Sequence, residues 1–477
     1  METPGRSAAP HERSDQSERI ISAVLPDGRL VELLHDPITP TTAFAVWDGT
    51  QVQTITYVDL GHERRLVPYP ASNNLLRHRV VLFPSKPEEY STPEELIAEI
   101  TAYLHRYMDL SPTFERLAAH YALFSWVYDC FNELPYLRLK GDFGTGKTRF
   151  LITLGSICYK PIFASGASTV SPIFHMLDVF GGTLLVDEAD FRFSDERAQI
   201  TKILNNGNAR GFPVLRTESK NGRDFNPRAF QVFGPKVVAM RGHFDDQALE
   251  SRFITEHAGG RPLRADIPIN LPLEQAIEAE HLRNKLLMYR FRSWGRVAPE
   301  AGAIDAKLEP RLKQIYTPLF SIIADEATRA DLLTIAHGFD RTIKSDRGFS
   351  LEVQVLTAVR ALALCRERAV LPIKDIVALF NRGFGSDYGS PVSSRWIGAI
   401  LRRKLNLATA KSHGLFVVPM TERPKLAELW ARYGISEEDA DAFLGTTGPL
   451  PDDLDLSWVD VGEDGETRAE RASRGSK

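Results

Sequence analysis

From Ile20 to about Phe83, hydrophobic and polar residues alternate in short runs such as Phe44-Ala45-Val46-Trp47 and Val52-Gln53-Thr54-Ile55-Thr56-Tyr57, broken by Asp-Gly and proline turns. A period of two with such breaks predicts a small β-rich domain. The period then changes. Thr92-Pro93-Glu94-Glu95 is a helix start, with Thr92 as N-cap, Pro93 at the first helical position and Glu95 closing a capping box. Leu96, Ile97, Ile100, Tyr103 and Leu104 follow at helical spacing, and Phe114 to Phe131 predicts a second, strongly apolar helix. Beyond it the pattern predicts strands at 135–140, 161–164, 182–186 and 235–240, with helices at 149–158, 171–177 and 194–205 between them. This alternation predicts a parallel α/β sheet. Residues 273 to about 340 read as amphipathic helices, and 350–420 as three helices (353–366, 373–381, 393–405) followed by a strand-like pair. The polar residues 1–18 predict disorder, and the acidic stretch around Asp452, Asp453, Asp455, Asp460 and Glu463 a solvated tail. The resulting divisions are 1–18, 19–91, 92–262, 263–345, 346–425 and 426–477.

Composition narrows the class without identifying it. A chain of 477 residues, 43% hydrophobic and 25% charged, has room for two to four packed domains. Cys130, Cys158 and Cys365 show no CxxC spacing, which argues against zinc and against a disulfide framework. No apolar run approaches the length of a membrane span, so a cytoplasmic protein without a membrane partner is expected. The net charge of −4 supplies no overall attraction to nucleic acid, so any such binding must come from local basic surfaces.

The most specific signal is Gly141-Asp142-Phe143-Gly144-Thr145-Gly146-Lys147-Thr148, a complete G-x-x-x-x-G-K-T phosphate-binding loop between a predicted strand and a predicted helix. Gly141, Gly144 and Gly146 let successive backbone N–H groups, that of Thr145 among them, turn toward a triphosphate. Lys147 suits the β- and γ-phosphates of ATP, and the Thr148 hydroxyl suits Mg²⁺. Some forty residues on, Leu184-Leu185-Val186-Asp187-Glu188 ends a buried strand on two carboxylates. Asp187 is expected to hold Mg²⁺, and Glu188 to polarise the attacking water.

Gly234-Pro235-Lys236-Val237-Val238-Ala239-Met240-Arg241, followed by a short helix ending in Ser251-Arg252, resembles the fourth strand and arginine-finger element of an AAA+ ATPase core. The resemblance covers about half of the chain, residues 95 to 340. It implies a P-loop sheet with a helical lid, a ring of subunits (a homo-hexamer), and Arg252 as a finger aimed at the neighbouring subunit's γ-phosphate, a role for a permanently charged fork. It further implies Arg241 at the first sensor position, where family members carry a small polar residue, and Arg311 as a second sensor in the lid.

Two further segments point to DNA. Val214 to Phe225 has an Asn-Gly turn between extended residues, with Lys220 and Arg223 at its tip. It resembles the pore hairpin of helicases from viruses, phages and plasmids, whose cations grip the phosphates of a single strand. The order of elements over 350–420 resembles a winged helix. Its third helix has an apolar face (Trp396, Ile397, Ile400, Leu401, Leu405) and a basic one (Arg395, Arg402, Arg403, Lys404), and Lys411 and His413 sit at the tip of the wing. Duplex DNA is the expected partner there. The expectation drawn from these parts is a ring-forming, DNA-stimulated ATPase, a helicase or helicase loader of a phage or other mobile element. The alternatives are an ATP-switched, sequence-specific DNA-binding regulator and a protein-remodelling or defence ATPase. A metabolic phosphotransferase would leave the Ser-Arg element and the hairpin without a role.

Overall fold

The computed structural model describes residues 16–447 apart from 63, 166–168, 188–193, 217–226, 245, 260–262, 301, 303, 306–307, 349–350, 366–369, 389–390 and 413. Glu188, the hairpin cations Lys220 and Arg223, His413 and the acidic tail lie outside the described residues. The chain divides into two compact units, residues 1–337 and 338–477.

The first unit opens with β1 (Gln16–Ile20), β2 (Ser22–Val24), β3 (Leu30–Asp36), β4 (Thr41–Trp47), β5 (Val52–Ile55), β6 (Val58–Asp59) and β7 (Arg64–Pro68). β2 to β5 form an antiparallel meander, whereas β1 runs parallel to β7 in a sheet of order β1-β7-β6. Disorder was expected through residue 18; instead Gln16, Ser17 and Glu18 pair with Arg64, Arg65 and Leu66 of β7. The alternation signalled these strands but not what they cover. Val31, Phe44, Val46, Val58 and Leu66 belong to the same buried cluster as Ile162, Val186 and Val238 of the strands that follow. The N-terminal strands therefore close a shared core instead of enclosing their own.

Short helix α1 (Asn74–Arg77) is followed by α2 (Pro93–Tyr107), N-capped by Thr92, whose hydroxyl accepts from the Glu95 amide at 3.2 Å, and by α3 (Pro112–Ser125), N-capped by Ser111. α3 ends six residues before the boundary read from its apolar run, where the chain turns through a short 3₁₀ segment at Tyr128–Cys130. The α/β part follows as β8 (Tyr136–Lys140), α4 (Lys147–Gly155), β9 (Ile162–Ser165), α5 (Val170–Phe180), β10 (Leu184–Asp187), α6 (Ser194–Asn206), the hairpin stem β11 (Val214–Arg216) and β12 (Arg228–Phe230), β13 (Lys236–Met240), α7 (Gln247–Glu250) and β14 (Phe253–His257).

β8, β9, β10, β13 and β14 make one five-stranded sheet of order β14-β8-β13-β10-β9, and every neighbouring pair is parallel. Near-continuous burial along β8, β10 and β13 fits strands covered on both faces. α8 (Leu273–Ser293) and α9 (Pro310–Phe320) complete the helical part of the first unit, and α10 (Glu326–Gly348) runs across the division at residue 337. α8 is tied to the N-terminal strands by charge. Arg290 donates through Nε to Glu32 of β3 at 2.7 Å and forks onto both Asp129 oxygens at 2.9 and 2.7 Å, while Tyr159 donates to Glu32 at 2.7 Å.

In the second unit α11 (Leu351–Cys365), β15 (Val370–Pro372), α12 (Ile373–Phe384), α13 (Ser394–Arg403), β16 (Ala410–Ser412), β17 (Leu415–Pro419), α14 (Arg423–Tyr433) and α15 (Glu437–Thr447) follow in order. The three strands form an antiparallel sheet of order β15-β17-β16. α14 and α15, placed beyond the expected boundary at 425, add Leu426, Ile435 and Ala440 to the core formed by α11, α12 and α13. Among the described residues no helix is long and apolar enough to cross a membrane.

Candidate functional site

β8 and α4 deliver the loop. Residues 141–146 turn between them, and Gly146 caps α4 with φ 83°, a left-handed conformation that a side chain would strain. Gly144 has φ 76°. Gly141 is needed for space, since a Cβ there would stand 2.6 Å from the Thr145 hydroxyl and 3.1 Å from Ala258. Thr145 donates to the Asp142 carbonyl at 2.8 Å, which tightens the turn. Lys147 folds back onto the loop: its Nζ donates to the Gly141 carbonyl at 2.7 Å and to that of Asp142. The free N–H groups and positive dipole end of α4 thus surround a cradle whose lysine is satisfied by backbone oxygens.

The acid comes from β10, two strands away across β13. The Thr148 hydroxyl donates to Asp187 Oδ2 at 2.7 Å, although 39 residues separate the two in sequence. An alcohol and a carboxylate at this distance are the hard oxygen donors that suit Mg²⁺, which fills its remaining positions with waters and phosphate oxygens. The residues fit the cation. Arg241 leaves the end of β13, where Met240 is in register with Lys140, and its guanidinium carbon stands 3.3 Å from the Phe143 ring centroid. Phe143 itself is 76% exposed on the loop. The structure therefore brings Arg241 to the phosphate loop through an aromatic contact that the motif pattern did not indicate.

Arg252 lies elsewhere. It immediately precedes β14, its carbonyl accepting from the Tyr136 amide at 2.8 Å, so it sits at the strand end opposite the loop. Five residues of strand, roughly 17 Å, separate it from Gly141. Arg252 Nη1 donates to Asn205 Oδ1 at the end of α6, and its Nε is buried with no hydrogen-bond partner among the described residues. Burial holds its pKa below the ordinary arginine value, with the nearby Arg311 charge adding to the effect. Arg311 donates to the Ala248 carbonyl of α7 at 2.9 Å. Arg311, the candidate second sensor of the lid, thus stands on the first turn of α9 near Arg252.

In the second unit Arg395, Arg402 and Arg403 are exposed on α13, while Ile397, Ile400 and Leu401 are buried. Arg402 Nη1 donates to Thr409 Oγ1 at 3.1 Å, which anchors that cation at the base of the β16–β17 hairpin. Lys411 is exposed on β16, directly across from Phe416, which is 57% exposed on β17. Phe416 did not stand out in sequence because Leu415-Phe416-Val417-Val418 reads as one apolar run; its neighbours Val417 and Val418 are in the core.

No family model and no curated protein matches the chain. Among solved structures it is similar to the C-terminal region of NrS-1, at 10% identity and a TM-score of 0.35 over 82% of this chain and 96% of that one. JCV helicase gives 16% identity and a TM-score of 0.24 over 53% and 61%. A full-length MCM homolog from Methanopyrus kandleri gives 13% identity and a TM-score of 0.33 over 63% and 67%. At this level of likeness none of them assigns an activity to this chain.

Proposed function

We propose that the chain is a Mg²⁺- and ATP-dependent DNA motor of the AAA+ type, a helicase or helicase loader whose subunits assemble in a ring and share each active site. The contact between Thr148 and Asp187 carries the ATPase part of this reading, since it joins a complete phosphate loop to a carboxylate from a separate strand. The N–H groups of the loop and of α4 bind the phosphates, and Lys147 turns from the Gly141 and Asp142 carbonyls to the β/γ-phosphate oxygens. Thr148 and Asp187 would hold Mg²⁺, which supplies charge neutralisation at those oxygens when bound. Glu188, one residue beyond Asp187, orients the attacking water and accepts its proton.

Arg252 supplies the positive fork for the γ-phosphate of a neighbouring copy. Its place at the strand end remote from its own loop favours action in trans, with the Arg311 charge nearby. The exposed cations of α13 and the exposed Lys411 support a duplex-binding winged helix, and Lys220 and Arg223 are the cations proposed for the single strand in the pore.

ATP hydrolysis measured without DNA, with single-stranded DNA and with duplex DNA tests the reading. Stimulation several-fold by DNA is expected, and Glu188→Gln is expected to lose about 100-fold or more of turnover. Turnover that DNA leaves unchanged would remove the motor reading, and intact turnover in Glu188→Gln would remove the site assignment. The same basic α13 face also suits a DNA-bound switch without strand separation. Protection of one defined duplex site with no unwinding of forked substrates would select that alternative.

A further inference from the structure

We infer that Asn205 is the positioning residue for Arg252, holding the guanidinium in place and linking it to the helix that leaves its own subunit's acid strand. The inference rests on the shared-site reading above. Asn205 lies in the last turn of α6, next to its final residue. Its Oδ1 accepts from Arg252 Nη1, and its Nδ2 donates to Asp246 Oδ2 at 3.2 Å. Asp246 is in turn the N-cap of α7, its other oxygen accepting from the Ala248 amide at 2.8 Å. One amide side chain thus bridges the end of α6, the finger candidate and the start of the helix that precedes it.

The choice of an amide has a physical consequence. An arginine meant for another molecule's phosphate must stay charged and releasable. A neutral acceptor fixes its direction without the grip of a carboxylate fork, since a hydrogen bond to an amide is weaker than one to a carboxylate; the nearby Asp246 carboxylate is itself engaged by Asn205 and the Ala248 amide. Arg252 Nε, buried without an acceptor within the described residues, shows the same incompleteness. Such groups in native structures are usually satisfied, and a γ-phosphate oxygen at the shared site is the acceptor that the proposed reading supplies.

α6 also explains why Asn205 is the useful place for this contact. The helix begins at Ser194, seven residues after Asp187, and runs 13 residues as one rod. Midway along it, Gln199 Oε1 accepts from Arg216 Nη2 of the hairpin stem at 2.6 Å. α6 therefore joins the hairpin stem, through Gln199, to Arg252, through Asn205.

The test is a mixing assay with the full-length chain. Arg252→Ala keeps its own site but lacks the finger, and Glu188→Gln keeps the finger but lacks a working site, so mixing them is expected to restore hydrolysis. Replacing the donor by Glu188→Gln/Asn205→Ala is expected to cut the restored rate about tenfold or more, with KM for ATP unchanged. Glu188→Gln/Asn205→Gln serves as the second donor: it keeps a neutral amide but moves it by one methylene, so its melting temperature is expected to stay near that of Glu188→Gln while its restored rate also falls. Equal restoration by both Asn205 donors overturns the inference. Failure of the parent mixture to restore any hydrolysis overturns the shared-site reading on which it rests.

Discussion

Arg138 of β8 and Glu250 of α7 are joined by two parallel hydrogen bonds of 2.6 Å, with the Arg138 side chain only 4% exposed. Arg138 also donates to Thr255 Oγ1 at 3.1 Å and stacks over Phe253, and Glu250 accepts from the Phe244 amide at 2.6 Å. The pair therefore fixes α7, and with it Arg252, to the strand that ends in the phosphate loop. Burial alone would raise the Glu250 pKa, but the hydrogen bonds and charge of Arg138 outweigh it and hold the carboxyl below its ordinary 4.5. Removing one partner strands the other charge in the sheet. Glu250→Gln is expected to lower unfolding free energy by about 3–5 kcal/mol in chemical denaturation, and Arg138→Met/Glu250→Leu to recover much of that loss. Because the folded pKa is depressed, this contribution is present above pH 4.5 and is lost as the pH falls below it.

Lys236, the first residue of β13, is wholly buried and donates to the Val232 carbonyl at 2.9 Å and the Gly234 carbonyl at 2.7 Å. Burial pushes its pKa down from 10.5 to about 7. Between those values the unfolded chain binds a proton that the folded one does not, so stability rises with pH across that interval and is lost as pH falls toward 7. The slope from this one group is at most about 1.4 kcal/mol per pH unit. Melting temperatures recorded from pH 6 to 9 are expected to rise, and Lys236→Met to flatten the rise. An unchanged slope in Lys236→Met would assign it to other groups, among them Lys160, whose pKa burial lowers to about 8.

How much of this was legible in sequence depended on how local each piece of chemistry is. The G-x-x-x-x-G-K-T pattern is eight consecutive residues, so its setting between a strand and a helix was legible, and so was the strand that ends on Asp187. Arg252 was legible as the end of a Ser-Arg element. Its holder Asn205 was not, because a contact across 47 residues depends on where α6 stops against α7. The contact of Arg311 with the Ala248 carbonyl was hidden for the same reason: a helix start can be read from Pro310, but its neighbour cannot. Glu32 within Leu30-Val31-Glu32-Leu33-Leu34 signals a buried partner by breaking an apolar strand. That the partner is Arg290, 258 residues later, is a fact of packing alone.

The Thr148–Asp187 contact makes a prediction about metal dependence. On the proposed reading both groups offer oxygen to one cation, so chelation with EDTA is expected to abolish hydrolysis and Mg²⁺ to restore it. Thr148→Ala removes one donor while leaving Lys147 and the loop in place. Calorimetric titration with a slowly hydrolysed ATP analogue is then expected to show weaker binding in Mg²⁺, by roughly 1.5–3 kcal/mol as for a charge-assisted contact, and little change in EDTA. Equal losses in both buffers would mean that Thr148 acts on the loop's shape and not through the cation.

The basic face of α13 and the β16–β17 hairpin yields a prediction in which charge and stacking separate. Each phosphate neutralised by a cation releases counterions, so Arg395→Ala, Arg403→Ala and Lys411→Ala are each expected to reduce the slope of log affinity against log salt by about one, with no change in sequence preference for a purely backbone contact. Arg402 is expected to do more than lose a phosphate, because its bond to Thr409 also orients the hairpin. Phe416 carries no charge and counters none. If its exposed ring stacks on a base, Phe416→Ala is expected to weaken binding by about 1–3 kcal/mol while leaving the salt slope where it was. Fluorescence anisotropy of the full chain on duplex and on forked DNA over 50–200 mM salt gives both quantities. A slope unchanged in all four cation variants would remove DNA from this surface, whatever the motor proves to act on.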